Sequence, residues 1–103
     1  MANNMQDLLR QVQKAQKNME KVQEELGGRN VEGTSGGGMV TVTATGRQEI
    51  TAIRINKECV DPGDVAMLED LVLTAVQDAL AKSHELADGE MGKLTGGLKI
   101  PGL

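Results

Sequence analysis

The sequence predicts an α+β fold in which a helix, a three-stranded antiparallel meander and a second helix follow one another. Three observations carry that expectation. Apolar residues early in the chain recur at spacings of three and four, at Met5, Leu8, Val12, Ala15, Met19, Val22 and Leu26, which is a helical period. Residues 39–45 alternate, with Val40, Val42 and Ala44 on one side and Thr41, Thr43 and Thr45 on the other, as a half-buried strand does. From Val65 a broader stripe of Leu68, Leu71, Val72, Ala75, Val76, Ala79, Leu80 and Leu86 appears, wide enough to cover a sheet.

The first helix is expected over residues 4–26. Its filler residues are Gln, Lys, Glu and Arg, all good helix formers, and neither Pro nor Gly interrupts it. Asn3 or Asn4 supplies a cap. The apolar spacing is a heptad seam, with Met5, Val12, Met19 and Leu26 at a and Leu8, Ala15 and Val22 at d. Such a seam requires a facing helix, and a second copy of the chain is the economical source. Gly27 and Gly28 end the helix, because glycine tolerates a left-handed C-terminal residue.

Strands are expected over residues 31–34, 39–45 and 48–56. The Gly-rich stretch between the first two lacks both the Gly-Lys-Ser/Thr of a phosphate loop and a G-x-G-x-x-G opening a helix, so it reads as a turn. Gly46-Arg47 turns the chain into the third strand. There Ile50 and Ile53 differ in phase, which predicts a bulge or a change of face. Asp61-Pro62-Gly63-Asp64 reads as a turn with Asp64 capping a helix over residues 64–88. The outer face of that helix is acidic, with Glu69, Asp70, Asp78, Glu85 and Asp88 beside Lys82 and His84, and Gly89 is expected to close it. These elements make one domain, residues 1–89. Residues 90–103 contain Gly92, Gly96, Gly97, Pro101 and Gly102 and are expected to form a flexible tail.

Composition removes several function classes. The 103 residues contain no Phe, Tyr or Trp, so the base-stacking platforms that hold single strands are missing. Cys59 and His84 are each the sole residue of their type; they cannot make a zinc site or an intrachain disulfide, and a catalytic triad would rest on one surface histidine. The expected protein is therefore not an enzyme and holds no cofactor, metal or small-molecule substrate. No apolar run reaches the length of a membrane span, and the N-terminus lacks a signal core, so a cytoplasmic location is expected.

Formal charge is −4, yet the charge is unevenly placed. Residues 61–103 carry eight acidic groups against three basic, whereas residues 1–30 carry five basic against four acidic. Within the first helix, Arg10, Lys14, Lys17 and Lys21 are spaced four, three and four. At about 100° per residue they fall in a sector of about 60°, nearly opposite the seam. Lys and Arg suffice to hold duplex DNA by its phosphates, and local clustering matters more than net charge.

The chain resembles the YbaB/EbfC family of bacterial nucleoid-associated proteins. The resemblance rests on Met5-Gln-Asp-Leu-Leu-Arg-Gln-Val-Gln-Lys-Ala-Gln16, on Gly36-Gly-Gly-Met-Val-Thr-Val-Thr43 ahead of Gly46, on Ile53-Arg54-Ile55, on Met67-Leu68-Glu69-Asp70-Leu71-Val72, and above all on Met91-Gly-Lys-Leu-Thr-Gly-Gly-Leu98 followed by Pro101-Gly102. It implies an α–β–β–β–α protomer and a tweezer-like homodimer joined largely through the sheet region. It also implies nucleoid localisation and binding of duplex DNA with little sequence preference, with altered DNA conformation and roles in nucleoid organisation and gene regulation. The family's positive helix face falls on Arg10, Lys14, Lys17 and Lys21. Relatives with basic residues late in the last helix are matched here only by Lys82. A second reading, favoured by the acidic total, is a protein-interaction module that recruits a DNA-repair or replication factor.

Overall fold

The computed structural model describes residues 4–94. Its elements are α1 (Asn4–Gly27), β1 (Asn30–Ser35), β2 (Val40–Thr45), β3 (Ile50–Ile55), a short 3-10 turn (Lys57–Cys59) and α2 (Val65–Leu94). The three strands form one antiparallel sheet in the order β1-β2-β3. This is the α–β–β–β–α order expected.

The core lies between α2 and one face of the sheet. Val40, Val42 and Ala44 are fully buried there, against Ala75 and Ala79 of α2. The approach is close because the facing residues are small. A Cβ built on Gly33 of β1 would lie 2.7 Å from the Ala79 Cα and nearer still to the Ala79 N and Ala75 O. Ala75, Ala79 and Ser83 thus form a smooth ridge, one per helical turn, on which the sheet rests. Ser83 is buried at 0% exposure; its hydroxyl donates to the Thr45 carbonyl at 2.6 Å and accepts the Gln48 N–H at 2.9 Å. That N–H belongs to a non-glycine residue with φ +63°, so the serine holds the β2–β3 turn in a left-handed conformation.

The helix lies over β1 and β2 and leaves β3 uncovered. In β3 the register shifts between Thr43 and Ala44, so that Ile50, Ile53 and Ile55 pair with Ala44, Val42 and Val40. Cross-strand partners share a face, so all three isoleucines lie on the core side, yet each is exposed. The outer edge of β1 is treated differently. The Asp78 carboxylate accepts the Thr34 N–H at 3.0 Å, and Lys82 Nζ donates to the Glu32 carbonyl at 3.0 Å. Asp78 and Lys82 also pair with each other at 3.1 Å. One edge of the sheet is capped by side chains while the other remains open.

Several sequence expectations require correction. Gly89 does not close the second helix, which continues to Leu94. Glu90 accepts from Arg29 at 2.8 Å and from Lys93 at 3.2 Å, contacts that act against the roughly 1 kcal/mol each glycine costs inside a helix. The first part of the expected tail is therefore helical, and the rest, residues 95–103, lies outside the described residues, as does Asn3. The helix does stop at Gly27-Gly28, but by i+3 bonds from Gly28 N to Glu25 O and Arg29 N to Leu26 O; positive φ occurs instead at Gly36, Gly37 and Gly38 in the β1–β2 turn. Asp64 caps α2 as expected, accepting from Met67 N at 3.2 Å.

Candidate nucleic-acid interface

From Asn4 to Lys21 every residue of α1 is exposed. Among the described residues the helix touches the rest of the protein only near its C-terminus, where it meets α2 and the β2–β3 turn and Leu26 is 1% exposed. Leu26 is therefore not available to the seam; it packs on Gly46, whose N–H donates to the Leu26 carbonyl at 2.9 Å. A side chain at position 46 would collide with Leu26, since a Cβ there would lie 2.9 Å from Leu26 Cδ2. The remainder of α1 projects as an arm, and the protein measures 74 × 25 × 17 Å. Its Cα radius of gyration is 20.0 Å, against about 13 Å for a compact chain of this length.

The four expected DNA-contacting residues, Arg10, Lys14, Lys17 and Lys21, all lie on this arm and all are exposed. Three of them, with Gln13, line one shallow depression of about 290 Å³. Gln13 was not singled out from the sequence, although its place three residues after Arg10 on the same helix is the signal for it. Among the described residues none of the four cations is in an ion pair; those pairs involve Arg29, Arg47, Lys82, His84 and Lys93 instead. Among the described residues the acidic groups of α2 pair with Lys82, His84 and Lys93 of the same helix and with Arg29 beside it, and not with the cations of the arm. From Arg10 to Lys21 the stripe runs about 16 Å along the helix at 1.5 Å per residue, comparable with about five base-pair steps of duplex at 3.4 Å each.

The other chemistry considered in the sequence takes ordinary places. Cys59 is buried, its thiol donating to the Asn56 carbonyl at 3.0 Å. His84 is exposed beside Asp88 at 3.3 Å and Gln48 at 3.0 Å. Among the described residues no group of three or more His, Cys, Asp or Glu could hold a metal, and no helix is long and apolar enough to cross a membrane.

A model of the YbaB/EbfC DNA-binding family matches residues 1–98. The chain belongs to that family. Family members bind DNA and are not enzymes, which favours a nucleic-acid partner over the recruitment of a repair or replication factor. A nucleoid-associated protein of Desulforamulus reducens is 60% identical over 103 residues, covering 100% of this chain and 98% of that protein. Another, of Pelotomaculum thermopropionicum, is 54% identical with the same coverage. The fold resembles the crystal structure of an uncharacterized protein from Helicobacter pylori, with a TM-score of 0.78 at 20% identity over 86% of this chain and 94% of that one.

Proposed function

We propose that the protein is a homodimer that grips duplex DNA by its phosphates through Arg10, Lys14, Lys17 and Lys21, with little regard to sequence, and alters the path of the duplex. The observation that carries this reading is an arm whose cations are exposed and, among the described residues, free of ion pairs in an otherwise acidic chain. Such cations release DNA counterions without first giving up a protein partner. Nothing on the stripe resembles a set of side chains aimed at base edges, so contacts are to the backbone. The relatives' names support a working place on the nucleoid, and roles in nucleoid organisation and gene regulation belong to the same proposal.

Dimerisation is supported by the uncovered side of the body. Ile50, Ile53 and Ile55 lie bare next to the flank of α2, where Leu68, Val72, Leu73 and Val76 line an apolar groove of about 430 Å³. Contiguous apolar surface of this kind on a small aromatic-free protein calls for cover. A second copy brings a matching surface by two-fold symmetry, and the capped β1 edge leaves the β3 side as the one open to it.

The test is a salt titration of binding to random-sequence duplex. With about four phosphates engaged, log K falls against log salt with a slope of roughly −3.6. Lys14→Glu/Lys17→Glu removes half of those contacts, so the expected slope is about −1.8 or shallower, with weaker binding at every salt concentration. Unchanged affinity and slope in a variant of unchanged helicity rule out the stripe as the contact surface.

A further inference from the structure

The seam of α1 remains bare in this account. The body contacts proposed above use β3 and α2, and Leu26 is committed to Gly46. Met5, Leu8, Val12, Ala15 and Met19 are left exposed along the arm, all but Ala15 at between 47% and 70%, and Val22 after them is half-buried. Most helical stability in proteins comes from packing of an apolar face, and along the arm that face has nothing packed on it among the described residues. The arm therefore needs a partner along its length.

We propose that this partner is the arm of a chain in another dimer, lying antiparallel, so that dimers join into assemblies of four or more chains. Three features select that occupant. First, the seam is complementary to its own reverse. Paired so that residue numbers add to about 27, Met5 meets Val22, Leu8 meets Met19 and Val12 meets Ala15, each an a position facing a d, as antiparallel coiled coils require. Small Ala15 is thereby matched with Val12 and not stacked on itself. Second, the positions flanking the seam are uncharged between Met5 and Val22: Leu9 and Gln16 at e, and Gln11 and Asn18 at g, with Glu25 the g residue beyond that span. Self-pairing meets no like-charge repulsion there. Third, an antiparallel pair places the two bodies at opposite ends, where they do not collide, whereas a parallel pair brings them to the same end.

The charges then acquire a geometry. Arg10 and Lys17 occupy f, and Lys14 and Lys21 occupy c, so both positions face away from the partner helix. Two paired arms carry basic stripes on opposite flanks, about 20 Å apart for helices of about 10 Å diameter. Such a pair can bind a duplex on each side at once. The seam covers only about two and a half heptads and has Ala15 near its middle, so pairing is weak in dilute solution. It strengthens where DNA concentrates the protein, because the second contact becomes effectively intramolecular.

This inference rests on the body dimer of the preceding reading, and the test separates the two. Leu8→Gln/Val12→Gln/Met19→Gln removes the seam while keeping good helix formers; Ile53→Glu breaks the body contact. Sedimentation equilibrium of the full chain, from micromolar to millimolar, is expected to show wild type rising from two chains to four or more. The seam variant stops at two, and Ile53→Glu also stops at two, held by its arms. On a single short duplex the seam variant binds as wild type does, yet it loses the capture of a labelled duplex by a second, immobilised one. Wild type that stays at two chains throughout, with a seam variant of the same mass, overturns the proposal, as does a seam variant that still reaches four. Wild type at two chains with a monomeric seam variant overturns the body dimer and the joining of dimers, and leaves arm pairing as the only contact.

Discussion

Gly33→Ala isolates the contact on which the core is built. Its backbone φ lies outside the left-handed range, so alanine adopts the same conformation without strain. On chain entropy alone the change stabilises a strand by roughly 0.5–1 kcal/mol. The contact reverses the sign. A Cβ at position 33 would lie 2.7 Å from the Ala79 Cα, where ordinary contact begins at 3.4 Å, and the obstructing atoms are all backbone. A helix backbone cannot move aside by a rotamer change, so α2 must retreat by about 1 Å. A gap of that size forfeits up to about half of each dispersion contact between Ala75, Ala79 and the strand residues beneath them. Overpacking typically costs 1–3 kcal/mol, and the upper end applies here, giving a net loss of about 2–3 kcal/mol. For a domain of about 100 residues that lowers Tm by roughly 10–20 °C. Urea unfolding at fixed protein concentration measures it, with the midpoint falling and the slope unchanged. Ala79→Gly is not expected to rescue the variant, because it removes none of the colliding atoms. A Gly33→Ala protein as stable as wild type, or more stable, refutes the close seating of α2 on β1.

Two further outcomes follow from polar contacts. Ser83→Ala removes the hydroxyl shared by the Thr45 carbonyl and the Gln48 N–H, which still bond each other at 3.1 Å, so the expected loss of stability in urea unfolding is about 0.5–1.5 kcal/mol. Glu90 is held below its ordinary value of 4.5 by hydrogen bonds from Lys93 and Arg29. Because its folded value is the lower one, its stabilisation is fully present above about pH 4.5 and is lost as the pH falls through the folded value. Wild type should therefore melt above Glu90→Gln near neutrality, the difference closing on acidification, and a difference that is constant with pH excludes the carboxylate as its source.

The sequence made the order of elements legible because each has its own period. The seam of α1, the alternation in β2 and the wide stripe of α2 are local properties, and the phase change between Ile50 and Ile53 marked the bulge. What was not legible depends on contacts across the chain. Gly33 reads as one glycine among many until α2 is laid upon it, although the spacing of Ala75, Ala79 and Ser83 advertises a smooth ridge. Asp78 and Lys82 read as a solvated helix face and instead cap a strand edge. Leu26 fits the heptad and yet belongs to the body, and Gly89 has the composition of a helix stop while Arg29, distant in sequence, helps carry the helix through. The four cations were found from periodicity alone; their freedom from ion pairs required knowing where the acidic groups lie.

Seated only by its last turns, on α2 and on Gly46 of the β2–β3 turn, the described part of α1 is a cantilever. Over the roughly 27 Å from Lys21 to its tip, a tilt of about 10° at the root carries the far end through about 5 Å. Small adjustments at the root thus become displacements on the scale of a phosphate spacing. A lever of this kind conforms to duplexes of differing curvature and groove width without rebuilding its own surface. That mechanical tolerance suits the proposed grip on duplex by its phosphates.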